Sequence, residues 1–510
     1  MRIRNTLLNS FSSVGSYLLI AILAVVLRKY FLVYLPTEYL GYEGLFSDIF
    51  AILSIADLGV GSIILYRMYP AIARNDEIEI ARLMSVYKFL YRIIGFGIAA
   101  VGLILIPFLR YIIRDNSLDW SYVYTIFIIQ MLVQLCSYFL AYKRVMFAAT
   151  MREVEIVKID TACTMVSNVV RIVVILLLKN YIIYLLVGVL CNVLANLWVA
   201  RKVNHEYSYL KSNIKITRED INELGIFKDI KNSIFQKICG AIYGGTDSIL
   251  ISALLGISKV GLLSNYNLIS GYVNNVFNKI LNPFQQSIGN YVHSEEKSKG
   301  ENLFRMFDRV SFFIACFVSV SFFCLLNPFI SVVFGKQYVI GTMYALAFSV
   351  NQYVAYNHKF VCFYRQAFGK YELDKWYIAL AAMLNIVFSV ILAQFFGVAG
   401  IIMGTVIGHM GFWIGRVRVV YSEYISEPVV KYVMRQMINL MIWGSEMYLI
   451  YFLCDLCPMN VVGLIERGGI CVVVSSIMNV VIFNRTPSFK LMIQYIRRTK
   501  DTLKDGISKK

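Results

Sequence analysis

The sequence predicts an all-α integral membrane protein of about fourteen transmembrane helices: two six-helix bundles related by a pseudo-two-fold axis, plus two extra C-terminal helices. Three observations predict this class. Of the 510 residues, 58% are hydrophobic and only 16% charged, whereas a soluble domain carries roughly 25% charged residues. Apolar stretches of about 20 residues, the length of a spanning helix, recur along the whole chain. Lys and Arg gather at alternate ends of those stretches. The 35 Tyr and 34 Phe also exclude a disordered chain.

The expected spans run over 8–31, 43–66, 84–109, 119–142, 156–178, 181–200, 232–255, 260–288, 307–333, 339–362, 374–395, 398–415, 432–453 and 461–483. With the N-terminus placed inside, 39 of the 49 Lys and Arg fall at inner ends and 8 at outer ends. Arg171 and Lys279 lie within spans. This is the positive-inside pattern; it requires an even number of spans and puts both termini in the cytoplasm. A net charge of +18 would suggest a nucleic-acid partner in a soluble protein; here the basic tail meets the anionic inner leaflet, and no nucleic acid is expected. Met-Arg-Ile-Arg looks like a signal n-region, but the apolar run is long and lacks an A-x-A site, so it reads as a retained first span.

The largest inner loop is polar and divides the chain. The expected organisation is 1–205, a six-helix bundle; 206–230, a cytoplasmic linker; 231–425, a second six-helix bundle; 426–484, two further helices; and 485–510, a basic tail. The halves echo each other. Gly44-Leu45-Phe46-Ser47-Asp48 matches Gly261-Leu262-Leu263-Ser264-Asn265 at an offset of 217, and Trp198 with Arg201 matches Trp413 with Arg416 at 215. Asn9-Ser10 matches Asn232-Ser233 at 223. Parallel repeats of this kind place a substrate cavity between two bundles that rock.

An ionisable residue at membrane depth is costly and marks a functional hypothesis. Asn275, Lys279, Asn282 and Gln286 form one helical stripe, extended outward by Tyr272. It reads either as a cavity wall for a polar or anionic substrate, with Lys279 as the charge, or as an interhelical hydrogen-bond seam, or with Lys279 snorkelling to the inner surface. Lys237 and Asp247 share the preceding span with Gly240, Gly244 and Gly245; Asp247 reads as a carrier of a coupling proton or Na⁺, or as a static partner of a cation. Asp57, Asp160 and Arg171 are similar, weaker cases, and Arg28 ends the first span beside Lys29. The substrate-binding candidates are therefore Lys279, Asn275, Asn282, Gln286, Tyr272, Lys237, Arg171 and Arg28; the ion-coupling candidates are Asp247, Asp57 and Asp160. His358 reads as a packed polar residue. Gly400, Gly404 and Gly408, four residues apart, read as a surface for close helix packing.

No residue set calls for catalysis, a cofactor or a metal. The four His make no ligand or triad pattern, and no G-x-x-x-x-G-K-[ST] occurs. Cys454 and Cys457 form a C-x-x-C with no second pair, which argues against zinc and leaves a surface disulfide or small apolar residues.

Tyr39-Leu40-Gly41-Tyr42-Glu43-Gly44-Leu45-Phe46, with Ile52-Leu53-Ser54-Ile55-Ala56-Asp57-Leu58-Gly59-Val60-Gly61, resembles the start of the bacterial polysaccharide flippases. These are the O-antigen, capsule and teichoic-acid exporters of the multidrug/oligosaccharidyl-lipid/polysaccharide superfamily. Gly245-Thr246-Asp247-Ser248-Ile249-Leu250-Ile251, with Leu255-Gly256 and Gly261, resembles the opening of that family's second half. The resemblance implies a transporter, not an enzyme, in the bacterial plasma membrane. It would turn undecaprenyl-pyrophosphate-linked oligosaccharide from the inner to the outer leaflet by alternating access. It also implies a cationic cavity, an H⁺ or Na⁺ gradient as driving force, and polysaccharide assembly enzymes as partners. The rivals are a multidrug or cation antiporter of the same superfamily, which would favour an acidic cavity, and a membrane polymerase or ligase, which would need a large outer loop.

Overall fold

The computed structural model describes residues 2–54, 59–211, 226–292, 297–368, 371–495 and 497; side chains are described over most of these. Among the described residues there is no strand. The principal helices are α1 (Arg2–Tyr34), α2 (Glu38–Leu53), α3 (Val60–Ala73), α4 (Glu77–Leu105), α5 (Leu109–Ile112), α6 (Trp120–Leu140), α7 (Arg144–Ala149), α8 (Glu153–Leu178) and α9 (Tyr181–Glu206). They continue as α10 (Ile226–Gly245), α11 (Asp247–Leu255), α12 (Ile257–Val292), α13 (Lys297–Phe329), α14 (Thr342–Asn357), α15 (Lys359–Ala367), α16 (Lys375–Phe396), α17 (Val398–Glu423), α18 (Val429–Asp455) and α19 (Val461–Phe483).

Ten of the described helices are long and apolar enough to cross a bilayer, or eleven if α10 and α11, bent by 46°, make one span. Three of the fourteen expected stretches account for the difference. Stretch 43–66 is shared between α2 and α3, which is entered through Gly59 at φ 76°. That left-handed conformation suits a residue without Cβ. Stretch 339–362 is broken at His358, between α14 and α15. Stretch 260–288 is a single helix, α12, whose Asn and Lys residues lower its apolarity. The α10–α11 bend follows Gly244-Gly245, where helix propensity is weakest.

The chain forms two compact units, the first Asn5–Ser264 and the second Asn265–Lys510 together with Met1–Arg4, and the main division falls inside α12. In the first unit, Ile64, Met68, Val86, Phe147 and Val203 are fully buried in a core shared by α3, α4, α7 and α9. Caps fix the helix entries: Asp76 accepts from the Glu79 amide at 3.0 Å, and Asn180 from the Ile183 amide at 3.1 Å. The two copies of the repeated glycine motif lie against each other in this unit. A Cβ on Gly41 would strike the Ile257 carbonyl, one on Gly261 the Thr37 carbonyl, and one on Gly44 would touch Val260. The repeat is thus also a packing seam between α2 and the opening turns of α12.

In the second unit, α16 and α17 form a close hairpin. A Cβ on Gly400 or Gly404 would collide with the backbone of Leu392 or Ser389, so these glycines set the helix separation. Gly408 is buried in the same helix. Near the ends of α15 and α17, Asp374 lies between Arg365 and Arg416. His358 is buried, and its Nδ1 lies 2.6 Å from the Val354 carbonyl.

Candidate functional site

In the first unit, α6, α7, α8 and α9 line an open polar cavity of about 600 Å³. Its polarity comes from periodicity on α8: Asp160, Thr164, Ser167 and Arg171 recur at helical spacing along one face, with Asn168 beside them. From Asp160 to Arg171 this stripe runs about 16 Å along the axis, at 1.5 Å per residue. Asn192 and Asn196, one turn apart on α9, face it, and Asn196 Nδ2 donates to Asn192 Oδ1 at 3.0 Å.

Two cations meet this cavity on different terms. Arg144 is neutralised: its guanidinium donates to both Asp160 oxygens, at 2.7 and 2.9 Å, and its Nε donates to Asn196 Oδ1 at 2.8 Å. Arg171 has no carboxylate within ion-pair distance among the described residues. Its Nε donates to the Tyr184 carbonyl at 3.2 Å, and the guanidinium sits 4.5 Å from the Tyr184 ring centroid. Gly188 makes room for it, because a Cβ there would occupy the position of the Arg171 Nη2. The ionised side chains of the lining therefore carry one net positive charge.

Through Cys163 and Cys191, which line both, the cavity adjoins a groove of about 870 Å³ between α8 and α9. Val166, Leu194, Leu197 and Trp198 make the groove's apolar body, and Arg201, Lys202 and His205 its polar end. Lys202 pairs with Glu155, and Arg152 with Glu206. The Arg152–Glu206 hydrogen bond holds the Arg152 guanidinium above its ordinary pKa. A polar chamber beside an apolar channel with a basic mouth suits a ligand with a charged head and a greasy tail.

The candidates read from the sequence divide between the two units. Arg171 and Asp160 share the cavity. Arg28 lies elsewhere in the first unit and donates to Ser264 Oγ at 3.0 Å. The Lys237 ammonium lies against Gly59, and Asp247 is half-buried at the start of α11, just past the bend. In the second unit, Asn275, Lys279 and Asn282 are exposed along one face of α12, and Tyr272 is half-buried. On the adjoining face, Asn274 accepts from the Tyr356 hydroxyl at 2.8 Å and Asn278 from Lys359 at 3.0 Å. Asp57 and the Gln286 side chain lie outside the described residues.

Sequence reasoning missed Arg144, Asn192 and Asn196. The stripe on α8 shows the same i, i+4, i+7, i+11 signal that singled out α12, so its face was legible. The closing partners on α7 and α9 are joined to it only by the fold.

Replacing Gly188 with Val is expected to push the Arg171 guanidinium off Tyr184 and to cost about 1–3 kcal/mol of stability, because a Cβ there overlaps the guanidinium. The thermal midpoint of the purified protein checks this. An unchanged midpoint would show that Arg171 can leave Tyr184 without loss.

A model of the polysaccharide biosynthesis protein family matches residues 44–340. Among solved structures, the lipid II flippase MurJ in an inward closed conformation is similar at a TM-score of 0.67 and 12% identity, over 93% of this chain and 99% of that one. An inward-facing multidrug resistance MATE family transporter of the MOP superfamily reaches 0.57 at 14% identity, over 78% and 94%. A single-residue mutant of the Vibrio cholerae MATE transporter VcmN reaches 0.54 at 13% identity, over 82% and 97%. No curated protein sequence matches the chain significantly.

Proposed function

Because the chain belongs to the polysaccharide biosynthesis protein family and has the multi-span fold of the MOP-superfamily transporters and flippases, we propose that it moves a lipid-linked glycan across the membrane. The substrate is undecaprenyl-pyrophosphate-linked oligosaccharide, turned from the inner to the outer leaflet of the bacterial plasma membrane by alternating access, with both termini cytoplasmic.

The observation that carries this reading is Arg171: an intramembrane cation with no carboxylate partner among the described residues, in a polar cavity beside an apolar groove. An unbalanced cation at membrane depth stabilises an anion there, and a guanidinium fork matches phosphate oxygens. Asn192, Asn196, Ser167 and Asn168 offer hydrogen bonds to sugar hydroxyls, and the α8–α9 groove offers a path for the prenyl tail. Lys279, Asn275, Asn282, Gln286 and Tyr272 in the second unit, and Lys237 and Arg28 in the first, are further candidates for contact with the head group. Asp247, Asp57 and Asp160 are the acids from which an H⁺ or Na⁺ coupling site would be drawn. Among these, Asp160 is the partner of Arg144. Polysaccharide assembly enzymes would supply and consume the lipid-linked glycan. A cation antiporter would need an acidic cavity, and this one carries a surplus positive charge.

Deleting the gene and assaying the leaflet position of lipid-linked glycans tests the proposal. The expected result is undecaprenyl-linked oligosaccharide accumulating on the inner leaflet, relieved by the wild-type gene. Normal glycan export in the deletion strain would overturn it.

A further inference from the structure

We propose that Cys324, Cys454 and Cys471 form a thiolate site for one thiophilic divalent cation, such as Zn²⁺, that ties α13, α18 and α19 together. The three cysteines come from three helices of the second unit, and their Sγ atoms all lie within 4.8 Å of one another. All three are nine-tenths or more buried. A zinc ion holds sulfur at about 2.3 Å, which sets neighbouring sulfurs roughly 3.8 Å apart in tetrahedral geometry. The observed cluster reaches that spacing by small side-chain movements. The C-x-x-C of Cys454 and Cys457 plays no part, since Cys457 lies outside the cluster and its thiol donates to the Leu453 carbonyl at 3.8 Å.

A second observation points to the same ligand. Arg467, one helical turn before Cys471 on α19, is buried at 7% exposure. Its Nη2 donates to the Cys457 carbonyl at 2.7 Å, its Nε has no hydrogen-bond partner, and no carboxylate among the described residues pairs with it. The Cys454 thiol is directed at the Arg467 carbonyl, at 3.9 Å, so cluster and cation are neighbours. A buried arginine without a counter-charge is expensive. Binding the metal removes that imbalance. One divalent ion displaces three protons from three thiols to water, leaving a metal–thiolate centre of charge −1, and Arg467 brings the packet to zero. A disulfide between any two of the thiols leaves the arginine uncompensated. The sequence hid this site because its ligands stand 130 and 17 residues apart, on helices joined only by tertiary packing.

The test uses the full-length protein, purified in detergent, reduced, stripped with chelator and titrated with Cd²⁺. One equivalent is expected to bind with thiolate-to-cadmium charge-transfer absorption in the ultraviolet and with release of about three protons. Cys471→Ser should weaken binding at least about tenfold, while Cys362→Ser, a buried thiol elsewhere in the unit, should leave it unchanged. The proton count on the wild-type protein decides the matter even if a variant fails to fold. No charge-transfer band at one equivalent would overturn the proposal. So would undiminished binding by Cys471→Ser, or a disulfide among the three cysteines in the protein as isolated.

Discussion

Replacing Arg171 with Gln is expected to reduce lipid-linked glycan export at least about tenfold, with the protein still inserted and close to wild-type stability. The two expectations follow from different contacts. For folding, Arg171 contributes one hydrogen bond to the Tyr184 carbonyl and a ring contact, and Gln keeps a donor in the same space. For transport, the guanidinium is the charge in the cavity that no carboxylate offsets, and a charge-assisted contact to a phosphate is worth roughly 1.5–3 kcal/mol. Arg171→Lys should recover part of the activity, because it restores the charge without the two-pronged fork. The measurement is the leaflet assay at matched membrane levels, with a thermal midpoint for each variant. Wild-type export by Arg171→Gln would remove this cavity from the transport route while leaving the family's transporter fold untouched.

The largest effect on stability is expected at Asp374. It is fully buried, as is Arg365, whose guanidinium donates to Asp374 Oδ1, and Arg416 Nε approaches Oδ2 at 3.6 Å. Replacing Asp374 with Asn leaves two arginines facing each other in a poorly solvated place. Removing one partner of a buried ion pair costs about 3–5 kcal/mol, because the other charge remains uncompensated. The thermal midpoint of the detergent-solubilised protein should therefore fall by several degrees. The double change Arg365→Met with Asp374→Leu should recover much of the loss. Arg418→Gln should change little, because Arg418 is an exposed residue whose bond goes to the Tyr377 hydroxyl. An unchanged midpoint in Asp374→Asn would mean that water, and not Asp374, neutralises these arginines.

How far the candidate site could be read in advance differs from helix to helix. On α8, Asp160 and Arg171 were legible as ionisable residues within an apolar span, before any fold was known. Arg144 did not. In the sequence it is one of a cluster of cations at an inner helix end, indistinguishable from Lys143 beside it. Only the fold turns it toward Asp160 and Asn196 while Lys143 bonds Asn204. On α12 periodic reasoning found Asn275, Lys279 and Asn282 on one face, but periodicity alone does not say what a face meets. The adjoining face also bonds its neighbours, through Asn274 to Tyr356 and Asn278 to Lys359.

The sequence by itself determined that this chain lives in lipid and which helix faces are polar. Those properties follow from local composition and from the 3.6-residue period, and lipid enforces them on every segment independently. Tertiary structure alone decided which cations are neutralised and which are not. Neither the place of Arg144 at a helix end nor that of Arg171 within a span says what each one meets: one meets a carboxylate and the other an aromatic ring and a space left by a glycine. Likewise, three scattered cysteines became neighbours only when α13, α18 and α19 packed. Electrostatic balance depends on distances of a few ångströms between residues far apart in the chain, and only the folded helices set those distances.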